Sequence, residues 1–352
     1  MAFGTLSVLD TLKSSRQSIA EFGEDNAYQS IEIARKAHND QFGMMVRDFI
    51  ERTTDRQRAY GGGSANDMQE VDEFGRSDAQ KIAAGVTVGF PLRKLDYAVQ
   101  WTADFMETAS VAELAAQFTA AQDAHIRALM RQIKKALFVP VNYTYKDRYV
   151  DNVDLAVKSL VNADSAEIPV DANGNSYDGA THTHYVGRVG GSVAASDITT
   201  LIRNVQEHYA SGMPMLYISQ TDESAIRAMT PNFVPILDAR VMPASTSTVG
   251  RGALDVANLY NRLIGYFDGA EVWVKPWMIA SYFFAYVKGA PVPLVLRERV
   301  AGRSNLRIVA ENEYHPLRTQ TLAAEFGVGV WNRTNGAILY SGGSSYVTPT
   351  IN

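Results

Sequence analysis

The chain has 352 residues, of which 46% are hydrophobic and 20% are charged, with a formal net charge of −5 and no cysteine. This composition is typical of a globular protein, and the missing thiols exclude disulfides, cysteine nucleophiles and zinc–cysteine sites. Proteins that grip duplex DNA usually carry a basic excess, so the acidic balance argues against direct DNA binding but allows a wall that encloses DNA. The sequence contains neither an apolar run long enough to span a membrane nor a secretory signal in MAFGTLSVLDTLKSSRQ.

The first hundred residues predict a helix followed by a long excursion. Apolar residues at helical spacing predict the helix over 24–52. Residues 58–81 (RAYGGGSANDMQEVDEFGRSDAQK) are polar and punctuated by glycine, which is uncommon inside a compact domain without a use for the segment. The next residues alternate apolar and polar side chains and predict a returning strand, with the apolar positions at Val86, Val88, Phe90, Tyr97, Val99 and Trp101.

Residues 110–138 predict the strongest helix of the chain. Ser110 and Glu113 match a capping box, and Pro140 stops the helix. At about 1.5 Å per residue, such a helix spans roughly 40 Å. An apolar stripe runs along it through Val111, Leu114, Phe118, Leu129, Ile133 and Leu137.

Beyond residue 140 the sequence predicts mixed α and β structure. DITTLIRNVQEHYASG and TDESAIRAM are typical of capped helices. LAAEFGVGVWNRTNGAILY predicts a β-hairpin that turns at Asn335-Gly336. Strands are predicted in MPMLYIS, GAEVWVKPW, SYFFAYV, PLVLRERV and LRIVAENEY.

Two histidines form the most suggestive chemical motif. His182 and His184 make an H-x-H, which on a strand points both rings to one face and suits a metal. A third ligand is needed, and both His208 and Asp178 are candidates. Because an H-x-H alone is weak evidence, we favour histidines that hydrogen-bond or face solvent, and we predict no catalytic, cofactor or metal residues.

The order of the elements resembles the major capsid proteins of tailed bacteriophages, with the Hong Kong 97-type fold. RLIGYFDGAEVWVKPWMIASYFFAYVKGAPVPLVLRERVAG is similar to the second half of that family's A-domain, and LAAEFGVGVWNRTNGAILYSGGSSY is similar to its returning P-domain strands. SLVNADSAEIPVDANGNSYDGATHTHY is also similar to a segment of such proteins. The resemblance implies an α+β fold with an N-terminal arm (1–57), an extended E-loop (58–101), a P-domain (102–210) with its spine helix at 110–138, an A-domain (211–310), and returning P-domain strands with the C terminus (311–352).

The resemblance also implies a function. It predicts a non-enzymatic major capsid protein that self-assembles, as hexamers and pentamers, into the icosahedral head shell around the double-stranded DNA genome of a tailed bacteriophage. The expected location is the virion, after assembly in the host cytoplasm. The candidate partners are scaffolding, portal and decoration proteins. Binding to a membrane or to a specific DNA sequence is not expected.

The predicted assembly residues lie on the E-loop. The glycines Gly61, Gly62 and Gly63 are expected to act as a joint that lets the arm take different angles. The returning strand is expected to find its apolar cover on a neighbouring subunit through Val86, Val88 and Phe90. Lys81 lies on the arm where one branch of the family forms an isopeptide crosslink with an asparagine. The matching asparagine has no clear position here, so we predict no crosslink and a solvated or ion-paired Lys81.

Two other functions remain open at this stage. An encapsulin-like bacterial nanocompartment uses the same fold, and co-purified protein cargo instead of DNA would favour it. A metal-dependent enzyme that uses His182 and His184 belongs to a different class, and metal analysis of the pure protein tests it.

Overall fold

The computed structural model describes residue 12 and residues 17–61, 68–79, 85–171, 174–188, 193–236 and 261–351, except for the side chains at 45 and 46. Two sheets and one long helix organise this part of the chain. The described helices are α1 (Ile19–Phe22), α2 (Glu24–Val46), α3 (Ala103–Thr108), α4 (Val111–Phe138), α5 (Ala195–Gln206) and α6 (Glu223–Arg227). The described strands are β1 (Ile50–Thr53), β2 (Gln57–Tyr60), β3 (Val86–Gly89), β4 (Arg93–Thr102), β5 (Tyr143–Lys146), β6 (Asp154–Val157), β7 (Tyr185–Gly187), β8 (Met213–Ile218), β9 (Phe233–Pro235), β10 (Arg262–Phe267), β11 (Ala270–Val274), β12 (Tyr282–Lys288), β13 (Leu294–Glu298), β14 (Arg307–Tyr314), β15 (Leu317–Val330) and β16 (Ala337–Tyr340).

The long helix α4 confirms the element predicted over 110–138. The Ser110 hydroxyl accepts a hydrogen bond from the Glu113 amide, and the Glu113 carboxylate accepts one from the Ser110 amide, which completes the capping box. The predicted stripe is buried along the whole helix and packs on the five-stranded sheet. Helix α4 therefore supplies one wall of the core.

The N-terminal helix ends earlier than predicted, and its apolar face is covered by its own chain. Helix α2 stops at Val46, and Ile50–Thr53 forms strand β1 instead of a last helical turn. Strand β1 pairs in parallel with β13, more than two hundred residues later in the chain. Ile31 of α2 packs in one cluster with Leu114 and Phe118 of α4. This face of the N-terminal helix is therefore covered by the spine helix of the same chain.

The five-stranded sheet is built around β15. Strand β15 pairs with β4 along residues 93–102, and also with β13 and β14. Strand β15, in the range 311–352 assigned to the returning P-domain strands, thus shares one sheet with β4, which lies almost wholly in the range 58–101 assigned to the E-loop, and with β13, which lies in the range 211–310 assigned to the A-domain. Strand partners far apart in the chain are the reason that the sheet does not follow those sequence boundaries.

The seven-stranded sheet has the order β7-β16-β12-β8-β11-β10-β9. Strand β12 shows why its sequence is apolar throughout. Phe283, Ala285 and Val287 face the cluster that contains α5. The alternating Tyr282, Phe284 and Tyr286 face a second cluster, which contains Phe49 and α4. Both faces of the sheet are therefore buried, and the run reads as continuous hydrophobicity.

The hairpin predicted at Asn335-Gly336 is wrong. Strand β15 belongs to the five-stranded sheet, and β16 lies between β7 and β12 in the other sheet. The Asn335 side chain does not form a tight turn but bonds the backbone of Val287 and Pro291. Residues 331–336 form a crossover between the sheets.

The crossover is polar and buried. Arg333 is 1% exposed, and its guanidinium donates hydrogen bonds to the carbonyl of Ser159 at 2.8 Å and to Asn162 at 2.9 Å. It also pairs with Asp164 at 3.0 Å. These bonds satisfy a charge that would otherwise be costly to bury.

Among the described residues, no helix is both long enough and apolar enough to cross a bilayer.

Candidate assembly arm and histidine cluster

A two-stranded stem carries the predicted arm. Strands β2 and β3 pair antiparallel, and Tyr60 opposite Val86 is the last pair before the tip. Gly61 follows at once with φ of +78°, a left-handed conformation that favours glycine. A side chain at Gly85 would meet the Tyr60 carbonyl oxygen at 2.3 Å, so the stem also requires glycine there. Gly62, Gly63 and Lys81 lie outside the described residues.

The returning strand takes its cover from its own protomer, contrary to the sequence expectation. Val88 and Phe90 are completely buried and cluster with Tyr60 and Val295, while Val86 is half-buried. Strand β13 lies beneath this hairpin and fills the space that we assigned to a neighbour. The role of these residues in assembly stays a prediction, but their burial does not depend on a second copy.

The same correction applies to 93–101, which pairs with β15 in the same chain. Of the range 58–101, the part whose described residues lack cover is 68–79, and every residue there is exposed. We call this segment the arm tip. Met68 is 103% exposed and Phe74 is 91% exposed, and Val71 is about half exposed. Isolated exposed apolar side chains are ordinary, but three within one short exposed segment indicate a contact surface.

Local hydrogen bonds shape the arm tip. The amide of Phe74 donates to the Asp72 carboxylate at 3.0 Å, and the amide of Gly75 donates to the Asp72 carbonyl at 3.2 Å. The amide of Asp78 donates to the Gln69 side chain at 2.9 Å, which brings the two ends of the tip together. The tip therefore has a defined turn without packing against a core.

Two arginines fix the stem to the body. Arg58 donates to Glu51 at 2.9 and 3.1 Å and to Asp55 at 2.8 Å, and its guanidinium lies 4.8 Å from the ring centre of Trp331. Arg56 makes a two-pronged bond with Asp151 at 2.7 and 3.0 Å. Such forked pairs hold geometry better than single contacts.

A buried ion pair supports the stem from below. Arg297 on β13 donates to the Phe90 carbonyl at 2.8 Å and to Asp147 at 2.7 Å. Both charged side chains are almost fully buried, at 4% and 0% exposure. The pair joins the end of the returning strand, the five-stranded sheet and the β5–β6 hairpin.

A histidine cluster lies on the seven-stranded side of the molecule. The Nε2 atoms of His182, His184 and His208 are separated by 3.1, 3.2 and 3.2 Å. Glu207 Oε1 lies 3.2 Å from His182 Nε2 and 3.7 Å from His208 Nε2. All four donor atoms fall within 4.8 Å of one another, which makes them a possible set of metal ligands. His184 is fully buried and His182 is partly exposed.

The surroundings of the cluster fix its rings. His184 Nδ1 lies 2.7 Å from the Gly336 carbonyl, so Nδ1 carries the proton and Nε2 presents its lone pair to the cluster. Burial lowers the pKa of His208 from its ordinary value to about 4, which keeps that ring neutral. Tyr177 packs on His208 with ring centres 4.3 Å apart and donates to the Glu207 carbonyl at 3.0 Å.

The sequence found part of this cluster. His182 and His184 meet as the H-x-H spacing predicted, and His208 is the right one of the two proposed third residues. Asp178 is not part of the cluster, because its carboxylate accepts hydrogen bonds from Ala180 and Thr181. Glu207 was missed. The adjacent Glu-His at the end of the α5 pattern was the available signal, but nothing local relates it to a motif 23 residues earlier.

A second histidine pair lies in the core between α2 and α4. His38 Nε2 is 3.0 Å from His125 Nδ1, and His125 Nε2 is 2.9 Å from the Ser304 carbonyl. His125 also stacks on Phe42 with ring centres 4.4 Å apart. These contacts place a proton on Nε2 of each ring and require His125 Nδ1 to be unprotonated, so His125 is neutral.

Comparison with solved structures identifies the fold. The chain aligns with a structure from Mycobacterium phage Patience with a TM-score of 0.67 and 22% sequence identity, over 94% of this chain and 90% of that one. The Hong Kong 97-type α+β fold expected from the sequence is confirmed.

Two further structures align more weakly. The capsid of a native GTA particle aligns with a TM-score of 0.47 and 14% identity, over 84% of this chain and 89% of that one. The capsid of the cyanophage P-SCSP1u aligns with a TM-score of 0.47 and 10% identity, over 84% and 86%. Both scores are too low to add to the argument. No protein-family model matches the sequence, and no curated protein sequence does either.

Proposed function

We propose that this chain is the major capsid protein of a tailed bacteriophage, which self-assembles as hexamers and pentamers into an icosahedral shell around double-stranded DNA. The observation that carries the proposal is the uncovered arm tip, 68–79, on a chain that shares its fold with the Patience structure. Its exposed Met68 and Phe74 have no cover among the described residues and gain it on a neighbouring subunit.

Repetition supplies the stability of such a shell. Each subunit gives one tip to a neighbour and receives one, so removing a subunit breaks several contacts together. A closed lattice therefore tolerates individual contacts that are weak. The stem contacts of Arg56 and Arg58 keep the root of the arm in place, so the ordering of the arm costs less at assembly.

Charge supports the enclosure of DNA without specific binding. The chain carries a formal net charge of −5, which does not favour adhesion to tightly packed phosphates. The arm tip is itself acidic, with Glu70, Asp72, Glu73 and Asp78 against Arg76. The receiving surface of the neighbour is accordingly apolar with a basic rim.

The remaining parts of the proposal follow from this role. The protein acts as a structural component and not as an enzyme, is located in the virion, and is assembled in the host cytoplasm. A portal, a scaffold and decoration proteins are the partners that a closed DNA-filled head would use.

Assembly of the purified protein tests the proposal. Electron microscopy and sedimentation of wild-type protein are expected to show shells, tubes or curved sheets. Phe74→Ser is expected to leave the thermal midpoint of the free subunit unchanged, because Phe74 contacts no core, while assembly falls by at least about tenfold. Phe74→Leu restores apolar area and is expected to restore assembly. Ser77→Ala, which changes an uncharged exposed residue on the same tip, is the matched control.

Two outcomes count against the proposal. A wild-type protein that stays monomeric or dimeric at high concentration would contradict a shell role. Full assembly of Phe74→Ser would show that the contact between the arm tip and a neighbouring subunit does not hold the shell together. Shells that co-purify with a protein cargo instead of DNA would favour the nanocompartment alternative.

A further inference from the structure

The three Nε2 atoms of the histidine cluster lie closer together than hydrogen bonds between neutral histidines can account for. A neutral Nε2 either carries a hydrogen or presents a lone pair. Three such atoms in mutual contact must include two of the same kind, so at least one of the contacts at 3.1 to 3.2 Å joins two donors or two acceptors. Hydrogen bonds alone therefore leave this arrangement repulsive, and a cation at its centre would turn all three nitrogens into ligands.

The distances fit one coordination geometry. Nitrogens bound at about 2.0–2.1 Å to a tetrahedral Zn²⁺ are separated by about 3.3–3.4 Å, close to the observed spacing of the Nε2 atoms. Glu207 Oε1 lies 3.2 Å from His182 Nε2 and 3.7 Å from His208 Nε2, is buried, and has no hydrogen-bond partner among the described residues, so it is available as a fourth ligand. The Gly336 carbonyl bonds the far side of His184, as the outer partner of a metal-bound histidine does.

We propose that His182, His184, Glu207 and His208 bind one Zn²⁺ per subunit as a structural site. Three imidazoles and a carboxylate are donors that zinc prefers. All four positions are filled by the protein, and a catalytic zinc keeps one open for water or substrate. The sequence analysis considered a metal-dependent enzyme that uses His182 and His184. The proposed zinc instead stabilises the fold and catalyses no reaction.

The position of the site indicates what the ion does. Glu207 and His208 directly follow α5, which covers one face of the seven-stranded sheet. His182 and His184 directly precede β7, the edge strand of that sheet. The ion joins the end of the covering helix to the edge strand, a link of 23 to 26 residues along the chain that no disulfide can provide in a chain without cysteine.

Metal analysis tests the site. Protein expressed without a polyhistidine tag is dialysed against Zn²⁺ and then against metal-free buffer, and its metal content is measured by mass spectrometry. One Zn²⁺ per subunit is expected, and Co²⁺ in its place is expected to give the visible absorption bands of a tetrahedral site. A chelator is expected to lower the thermal midpoint, and added Zn²⁺ to restore it.

Variants locate the ion. His182→Gln and Glu207→Gln change partly exposed ligands, so the subunit is expected to fold while its affinity for Zn²⁺ falls by at least about tenfold. His315→Gln changes an exposed histidine in the turn between β14 and β15 and is expected to retain full metal. Folded wild-type protein with only trace metal and no Co²⁺ bands would overturn the proposal. Equal retention by both ligand variants would overturn it too, because the ion would then lie elsewhere.

Discussion

At the scale of single residues, the histidine pair in the core has the clearest consequence. Burial lowers the pKa of His125 from 6.5 to about 4, with a smaller contribution from the neighbouring His38. Burial also lowers the pKa of His38, although the charge of Asp123 opposes that change. Both rings are thus held neutral in the folded chain at pH values where the unfolded chain takes up protons.

The histidine pair predicts that the free energy of unfolding falls in acid. Between pH 6.5 and about 4 the unfolded state binds the proton that folded His125 refuses, so stability is present above pH 6.5 and falls as the pH drops through this range. The shift of His125 corresponds to about 3 kcal/mol of unfolding free energy. Chemical denaturation of the free subunit at several pH values measures it. His125→Gln is expected to flatten the slope, and His315→Gln is expected to leave it unchanged. An equal slope in His125→Gln would contradict the assignment.

The buried ion pair under the stem gives a second prediction. Asp147→Leu leaves the Arg297 charge buried without its partner and is expected to cost about 3–5 kcal/mol of unfolding free energy. Replacing both charges, as in Asp147→Leu with Arg297→Met, is expected to cost less than the sum of the two single changes. Urea denaturation of all four proteins closes the cycle. Additive costs would show that the two charges do not interact.

At the scale of elements, the cap of the long helix is testable alone. Ser110→Ala removes the hydroxyl that accepts the Glu113 amide, and is expected to cost about 1 kcal/mol of unfolding free energy. The matched control is Ser344→Ala at an exposed serine far from any helix start, which is expected to cost almost nothing. Thermal or urea unfolding measures both, and equal effects would rule out a capping role.

Elements determined by local chemistry were predictable. Helix α4 follows from its cap, its stripe and its alanines, and β12 follows from a short apolar run. Elements determined by distant partners were not. Residues 50–53 continue a helical pattern, yet they pair with β13, and Asn335-Gly336 has the local chemistry of a turn, yet its side chain binds Val287.

The candidate sites also divide into features that local sequence determines and features that depend on distant partners. The H-x-H motif is visible in the sequence because its two residues are neighbours, and Gly61 is visible because a left-handed backbone favours glycine. Glu207 and the cover of Phe90 were hidden, because both depend on which strands and helices meet in three dimensions.

At the scale of the whole molecule, the arm tip is expected to change state on assembly. In the free subunit it is exposed throughout and includes Arg76, so trypsin is expected to cut there first. In the proposed shell a neighbour covers this segment, and this cover is expected to slow that cut by at least about tenfold. Mass spectrometry of timed digests compares the two forms. The same rate at Arg76 in free subunits and in shells would place the tip outside the subunit interface.

The crossover at 331–336 has a consequence for the proposed shell. Arg333 is bonded to Ser159, Asn162 and Asp164, and Asn335 is bonded to Val287 at the end of β12 and to Pro291 just after it, so the crossover is held in place on both sides by buried polar contacts. In the proposed shell, subunits at five-fold and six-fold positions meet their neighbours at different angles. We expect a body braced in this way to keep its own shape, and the differences in angle to be taken up where the arm leaves its stem.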